Sequence, residues 1–85
     1  MATIWTYVYI LQSQQDQSTY IGHTTNLKQR FTEHNAGKTK SIKHKLPMKM
    51  IYCEAYSSKK LAIKREIHLK KNSAAKKELY SRIFE

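Results

Sequence analysis

The chain has little of what holds small secreted domains together: its 85 residues include one cysteine, Cys53. An internal disulfide framework and a cysteine-based zinc cage are therefore excluded, and a reducing compartment, the cytoplasm, is the predicted location. Long hydrophobic runs are also absent, since the longest apolar-rich stretch, 4–11, is interrupted by Thr6 and is far shorter than the ~20 residues of a transmembrane helix. No Lys or Arg precedes this stretch, which argues against a signal peptide.

Glycine and proline are scarce too, with two glycines and one proline in the chain. Gly37 is suited to end a helix, and Pro47 disfavours helical conformation at Leu46. Gly22 lies inside a pattern typical of a strand, where a residue without a side chain indicates close approach by another backbone or by a ligand.

Acidic residues are few: six Asp and Glu stand against sixteen Lys and Arg, which gives a net charge of +10. Such a charge attracts polyanions, nucleic acid first and anionic membranes second. Because a surface built only for solubility would mix both signs more evenly, the excess favours a phosphate-binding surface over solvated helix faces. No predicted helix combines these charges with a bulky apolar face, so membrane binding is not expected. The lysines predicted to bind nucleic acid are Lys28, Lys38, Lys40, Lys43, Lys45, Lys49, Lys64, Lys70 and Lys71.

Apolar periodicity and turn residues predict three strands and three helices in the order β-β-α-β-α-α. Residues 4–11 are rich in β-branched and aromatic side chains, which is typical of a strand buried on both faces. With its leading hairpin, this order predicts a small, mainly antiparallel sheet covered by helices, an α+β fold in a single domain over residues 1–85. The other predicted elements are strands over 19–24 and 48–56 and helices over 26–35, 59–71 and 74–84. The predicted N-cap is Thr25 for the first helix, Ser57 or Ser58 for the second, and Ser73 for the third.

Glu66 stands within the apolar arc of the second predicted helix, beside Ala62, Ile63 and Leu69. Burying an unpaired carboxylate is costly, so this position requires a cation: a lysine, an arginine or a metal ion. The alternative is an ordinary pair with Lys70, one turn later, at the rim of this face. The periodicity does not decide between the two.

The first predicted helix carries four residues within an arc of roughly 100°: Leu27, Arg30, Phe31 and His34. The two apolar side chains can dock this face on the sheet, with Arg30 and His34 beside them. A guanidinium can stabilise a pentacovalent phosphorane, and an imidazole can carry a proton near neutral pH. The alternative is that Arg30 extends into solvent while His34 bonds a backbone carbonyl.

Tyrosines form the third group of candidate residues. Tyr7 and Tyr9 share one face of the first predicted strand with Trp5, and Tyr20 enters the second strand across the hairpin. Tyrosines on adjacent strands are usually core residues whose hydroxyl lies at the edge of the core. Trp5 and Cys53 are also predicted to be core residues.

These pieces form an ordered series of motifs. Tyr7-Val8-Tyr9 is followed after ten residues by Tyr20-Ile21-Gly22, then by Arg30 and His34, a strand ending in Glu54, and Ala62-x-x-x-Glu66-x-x-Leu69-Lys70. In this order and spacing the motifs resemble those of the GIY-YIG nuclease family, in its small stand-alone single-domain branch (URI-type, UPF0213-like). The resemblance covers about residues 7–77, and the motif-bearing core spans about 4–83.

The resemblance implies a small three-stranded antiparallel β-sheet flanked by three α-helices, and an endonuclease that hydrolyses phosphodiester bonds. The expected substrate is DNA, cut with little sequence specificity, because a lone module of 85 residues has few side chains to spare for base edges. A role in DNA repair or recombination is the expected context. One divalent cation, Mg²⁺ or Mn²⁺, is the implied cofactor, with Glu66 as its sole protein ligand and water in the remaining positions.

The same resemblance assigns roles to the site residues. Arg30 would stabilise charge on the phosphorane, and Tyr9 would position or deprotonate the attacking water. Tyr20 would support the site, and His34 would receive or relay a proton. A tyrosine base has a reference pKa of about 10, so it needs cationic neighbours or an adjacent acceptor such as His34. The expected supporting residues are Tyr7, Gly22 and His23.

Two positions depart from the family pattern. Tyr7 replaces the glycine of the first triplet, and His23 replaces a lysine that follows the second triplet in some branches. His23 and the small size of the chain keep a second hypothesis open: a catalytically silent nucleic-acid-binding module with a nuclease-like fold that acts with a partner. The joint presence of Arg30, His34 and Glu66 argues against it. A protein partner or a homodimer is the expected source of specificity.

Overall fold

The computed structural model describes residues 3–84, and residues 1, 2 and 85 of the predicted domain lie outside this range. The described strands are β1 (Thr6–Ser13), β2 (Thr19–Thr24) and β3 (Met48–Tyr56). The helices are α1 (Leu27–Asn35), α2 (Lys59–Lys71) and α3 (Ser73–Ile83), and a short 3₁₀ helix, Lys43–Lys45, lies in the predicted basic loop. The α+β fold and the order β-β-α-β-α-α are therefore confirmed.

The sheet has the order β2-β1-β3 with both pairs antiparallel, so β1 is its central strand. Seven of the eight residues of β1 are buried, which confirms the prediction of a strand covered on both faces. The strand runs two residues later than predicted, because the pairing with β3 extends to Ser13 and the Ser13 backbone N–H also donates to the Ser18 carbonyl in the hairpin turn. A bulge between Ile10 and Leu11 shifts the register of β3.

The two faces of the sheet carry separate hydrophobic clusters. Under α2 and α3, the buried residues are Val8, Ile10, Ile21, Ala62, Leu69 and Leu79. On the face of α1, they are Tyr9, Leu11, Ile42 and Met48, with Leu27 and Phe31 of α1 packed against them. The apolar residues of the first predicted helix thus dock it on the sheet as expected, and its polar arc faces the same side as Tyr9.

Asparagine caps two of the helices, which corrects two predicted caps. The side chain of Asn26, and not Thr25, accepts a hydrogen bond from the Gln29 backbone N–H at the start of α1. Asn72, and not Ser73, does the same for α3, whose bounds therefore lie one residue earlier than predicted. Ser58 caps α2, one of the two predicted serines.

Gly37 confirms the predicted end of α1, since its φ of 79° lies in the left-handed region that favours glycine. Within residues 3–84, no helix is both long enough and apolar enough to cross a membrane.

Trp5 and Cys53 are exposed, so the prediction that they belong to the core is wrong. Trp5 precedes β1 and lies outside the sheet. Cys53 is on the outer strand β3, opposite Tyr9, and its side chain alternates away from Tyr52, which packs towards α2. At Cys53, β3 is covered only on the face of Tyr52, and the alternation of residues in the sequence does not tell which face of an edge strand is covered at a given position.

Candidate active site

Tyr9 and His34 meet in the interior of the domain. Tyr9 comes from the centre of β1 and His34 from the last turn of α1, and both side chains are buried. The Tyr9 Oη lies 2.7 Å from the His34 Nε2, which is a hydrogen bond between two buried side chains. The fold therefore brings together two of the predicted catalytic residues that are 25 positions apart in the sequence.

Thr39 completes the environment of His34. Its Oγ1 lies 2.7 Å from the His34 Nδ1, so both ring nitrogens of His34 face side-chain hydroxyls and not a backbone carbonyl. The turn at Gly37 sends the chain back along the end of α1, and this places Thr39 there. Sequence reasoning missed Thr39, since a threonine two residues after a helix-ending glycine carries no signal that it contacts the helix.

Gly22 and Tyr20 hold the tyrosine–histidine pair from β2. Gly22 stands directly opposite Tyr9 across the sheet, and a Cβ atom at Gly22 would lie 2.5 Å from the Tyr9 Oη. A close approach does occur at this glycine, but the approaching group is the Tyr9 side chain and not the backbone or ligand that the sequence predicted. The Tyr20 ring packs edge-on against His34, with 5.0 Å between the ring centroids.

Arg30 lies at the partly exposed rim of the same cluster. Its Nη1 donates a hydrogen bond of 3.1 Å to the Glu33 Oε1, one turn along α1. This bond raises the pKa of Arg30 above its ordinary value, and the nearby hydroxyls of Tyr9 and Tyr20 add to the rise. Arg30 is thus a fixed positive charge close to both tyrosines and open to solvent on one side.

The electrostatics of the pair favour a neutral tyrosine beside a neutral imidazole. Burial raises the pKa of Tyr9 to about 12, and Tyr20 contributes to the rise, while Arg30 opposes it. Burial, followed by the positive charge of Arg30, lowers the pKa of His34. At neutral pH, Tyr9 therefore keeps its proton and His34 carries a single N–H, so one of its nitrogens can accept.

Glu66 lies on α2 at the edge of β2, and its side chain is 14% exposed. The Oε1 is 2.7 Å from the Nδ1 of His23, and the Oε2 is 3.1 Å from the Nζ of Lys70. The side chain of Glu66 is largely buried, as its place in the apolar arc predicts, and it also pairs with Lys70, as the alternative predicts. Its negative charge contributes to the raised pKa of Tyr9, so the two sides of the site are electrostatically connected.

The donor set suits a loosely held, hydrated cation. Among residues 3–84 there is no group of three or more His, Cys, Asp and Glu side chains that could form a metal cage. A single carboxylate with one oxygen on an exposed lysine fits Mg²⁺, which keeps most of its water shell and needs one or two carboxylates. Glu66 is the group that would hold such an ion.

The remaining predicted residues differ in exposure. Tyr7 is half-buried on the same face of β1 as Tyr9, two residues away, and stands opposite Thr24. Lys45 is half-buried in the 3₁₀ helix, where its carbonyl accepts a 2.7 Å hydrogen bond from the Ser13 Oγ. The other predicted DNA-binding lysines are exposed: Lys28, Lys38, Lys40, Lys43, Lys49, Lys64, Lys70 and Lys71.

A groove of about 300 Å³ runs along the edge of β2. Tyr20, Lys70 and Lys76 line it, together with Ser41 from the basic loop. Lys76 was not among the lysines predicted to bind nucleic acid, because nothing in the sequence distinguishes it from Lys77. The groove joins the tyrosine side of the site to two ammonium groups.

Comparison with known proteins identifies the family. Residues 6–79 match the family model described as the GIY-YIG catalytic domain. A UPF0213 protein of Natronomonas pharaonis is 41% identical over 73 residues, which cover 85% of this chain and 85% of that protein. A UPF0213 protein of Streptococcus pyogenes serotype M5 is 38% identical over 80 residues, covering 93% and 86% respectively. The solution NMR structure of a UPF0213 protein from Bacillus halodurans matches with a TM-score of 0.57 and 33% identity, over 94% of this chain and 85% of that one. The chain therefore belongs to the GIY-YIG family that its ordered tyrosine, arginine, histidine and glutamate motifs predicted.

Proposed function

We propose that this chain is a metal-dependent DNA endonuclease of low sequence specificity, within the nuclease-like role that its family supports. The observation that carries the proposal is the buried 2.7 Å hydrogen bond between the Tyr9 Oη and the His34 Nε2, with Arg30 beside it. A domain that only binds phosphates has no use for a buried hydroxyl–imidazole pair next to a fixed positive charge. This arrangement does suit proton transfer at a reacting phosphodiester.

The raised pKa of Tyr9 decides how a tyrosine can act here. A phenol with a pKa of about 12 does not ionise at neutral pH, so Tyr9 is protonated before the reaction begins. In the proposed step, the attacking water passes a proton to the Tyr9 Oη while the Tyr9 proton moves to the neutral His34 Nε2. One proton ends on His34 and Tyr9 stays neutral. The water oxygen forms the new bond to phosphorus, the bond from phosphorus to the leaving oxygen breaks, and that oxygen takes up a proton from solvent.

Arg30 and Glu66 serve the charge that develops during this step. The guanidinium of Arg30, oriented by Glu33, faces solvent on one side and can approach the non-bridging oxygens of the phosphorane. A divalent cation held by Glu66 would supply further positive charge at the reacting phosphate.

The surface supports nucleic acid as the substrate. A net charge of +10 on so small a domain, with most of its predicted DNA-binding lysines exposed, attracts a polyanion. Binding is expected to weaken steeply as salt rises, because each phosphate contact releases counterions. The single cysteine argues for action in the cytoplasm, and low specificity suits repair or recombination, with a protein partner or a second copy selecting the site.

Nicking of supercoiled plasmid in Mg²⁺ or Mn²⁺ tests the proposal. The parent is compared with Arg30→Ala, Tyr9→Phe and Glu66→Gln, and with His68→Ala, an exposed residue of α2, as the control. We expect each site variant to lose activity by about 100-fold or more while the control keeps it. Activity that survives Glu66→Gln at the parent level would overturn the metal-dependent reading.

One observation favours a second function, a nucleic-acid-binding module that depends on a partner for cutting. His23 and Lys70 occupy both oxygens of Glu66, so the carboxylate is already neutralised without a metal ion. If the parent and all site variants are equally inactive while each still binds DNA, this second function is the correct one.

A further inference from the structure

We propose that Lys70 is an internal cation that occupies Glu66 when no divalent ion is bound, and that the ion displaces it while His23 keeps the carboxylate oriented. This inference rests on the proposed function, since it takes Glu66 as the residue that binds the ion. It assigns to His23 and Lys70 different roles towards the two oxygens of one carboxylate.

His23 and Lys70 each donate a hydrogen bond to the carboxylate of Glu66. An ionised carboxylate can only accept, so the Nδ1 of His23 must carry a proton and donate it to the Oε1. The Nζ of Lys70 donates to the other oxygen, Oε2, over 3.1 Å. Each oxygen of Glu66 keeps a second lone pair, but a donor group already lies at each of them, so an ion binds most closely where one of these donors moves away.

Lys70, and not His23, is the partner that the ion displaces from Glu66. His23 belongs to β2, where it pairs with Val8 across the sheet. Because its side chain is short and its backbone is fixed in the strand, the position of its ring is restricted. Lys70 reaches Glu66 from one turn along the same helix on a flexible four-carbon chain and is 48% exposed. Exposed pairs of this spacing are weak and easily exchanged. The Oε2 is therefore the oxygen that becomes free for the ion.

After displacement, the ammonium group of Lys70 remains in the groove along β2. Its side chain also lines the groove along β2, with Lys76 and Tyr20 on the same groove. An ammonium released from Glu66 stays at the edge where nucleic acid phosphates would lie, and exchanges a carboxylate partner for a phosphate. The ion thus both takes its ligand and frees a cation for the substrate.

The test measures the affinity of the full chain for Mn²⁺ without nucleic acid, by enhancement of water-proton relaxation. Lys70→Met is compared with Lys60→Met, which removes the same charge from an exposed position of α2 that makes no hydrogen bond to Glu66. We expect Lys70→Met to tighten Mn²⁺ binding by about 3- to 10-fold, because a competing and repelling charge is removed. Lys60→Met is expected to stay within about twofold of the parent.

The orienting role of His23 is tested in the same assay. His23→Ala is expected to weaken Mn²⁺ binding several-fold, and His23→Gln, which keeps an amide donor, is expected to recover part of the loss. Unfolding in urea accompanies each variant, so that loss of folding is separated from loss of binding.

The outcomes separate this inference from the proposed function. If Glu66→Gln abolishes Mn²⁺ binding but Lys70→Met binds no more tightly than Lys60→Met, the exchange of Lys70 is wrong and the Glu66 metal site stands. If the parent does not bind Mn²⁺, or Glu66→Gln binds it as the parent does, the metal role of Glu66 is wrong and this inference falls with it.

Discussion

Two carboxylates at opposite edges of the sheet are buried to a similar extent but differ in how firmly their hydrogen-bond donors are held. Glu54 on β3 is 18% exposed and Glu66 on α2 is 14% exposed, and each accepts hydrogen bonds at both oxygens. Glu54 accepts from Tyr52 over 2.5 Å, from Tyr56 over 2.8 Å and from the Nε of Arg65 over 2.7 Å. All three donors pack against the body of the domain between β3 and α2. Glu66 instead has one partner held by a strand and one flexible lysine.

The difference lies in whether the donors can leave. Burial would raise the pKa of Glu54, but the hydrogen bonds from Tyr52, Arg65 and Tyr56 together lower it. This carboxylate is committed to holding β3 and α2 together. The tyrosines differ in the same way, because Tyr52 donates to a carboxylate whereas Tyr9 shares a hydrogen bond with a neutral imidazole that can take a proton. The same residue types, glutamate and tyrosine, thus hold β3 and α2 together in one place and form a site with exchangeable partners in the other.

Neutralising each carboxylate in turn is expected to show the largest difference between the two. We expect Glu66→Gln to lose plasmid nicking by about 100-fold or more with little loss of stability, because only an exchangeable pair is removed. Glu54→Gln is expected to cost about 1–3 kcal/mol of unfolding free energy, since Arg65 loses its counterion, while the folded protein still nicks DNA. Urea unfolding and nicking assays on both variants check the contrast, and equal behaviour of the two would contradict it.

The two glycines give a matched pair of substitutions. Gly22→Ala places a Cβ 2.5 Å from the Tyr9 Oη, so Tyr9 must move away from His34. We expect a loss of nicking activity of tenfold or more and a stability cost of about 1–3 kcal/mol.

Gly37→Ala serves as the control, because nothing lies within 4 Å of its Cβ position and only its φ of 79° is strained. It is expected to cost about 1 kcal/mol and to leave nicking by the folded protein close to that of the parent. A loss of activity in both variants beyond their loss of folded protein would show that Tyr9 displacement is not the cause.

Thr39 tests whether the relay depends on the second nitrogen of His34. Thr39→Val removes the hydroxyl at 2.7 Å from the Nδ1 and is expected to lower the nicking rate by about tenfold, because the imidazole loses its fixed orientation and tautomer. Thr39→Ser keeps the hydroxyl and is expected to recover most of the rate. A purely structural role would lower stability without changing the pH profile of nicking, so that profile is the deciding measurement.

The smallest expected effect is the pH dependence of stability due to His34. Burial and the charge of Arg30 lower its pKa below the ordinary value of 6.5, so the unfolded chain binds a proton at His34 before the folded chain does. The stabilisation that neutral His34 brings is complete above pH 6.5 and is lost as pH falls through the folded-state pKa. Urea unfolding of the parent and of His34→Asn between pH 5 and about pH 7 measures this, and parallel curves would contradict it.

Local patterns predicted most of the fold. The bounds of β2, β3 and α2 agree with those expected, because alternation, β-branched content and a serine cap are properties of adjacent residues. The arc of Leu27, Phe31 and His34 likewise turned the first helix to the sheet as predicted. Errors fell where two neighbouring residues compete for one role, as at Thr25 and Asn26, where the asparagine is the cap.

Most residues of the proposed site were named from the sequence, but their contacts were not. The motif spacing pointed to Tyr9, His34 and Glu66, yet the partners of these residues come from elsewhere in the chain. Thr39 reaches His34 through the turn at Gly37, and His23 reaches Glu66 from β2 over 43 positions. Such contacts depend on how strands and helices pack, and no local pattern encodes them.

Composition and periodicity along the chain set the excess of positive charge, the order of the elements and the residue types available for chemistry. Packing of the sheet and helices sets which tyrosine is buried against an imidazole, which carboxylate has a partner that can leave, and that Cys53 faces solvent. Burial and distance between groups far apart in the chain set pKa values and exchangeable contacts, and both come into existence only when the sheet and its helices close on one another.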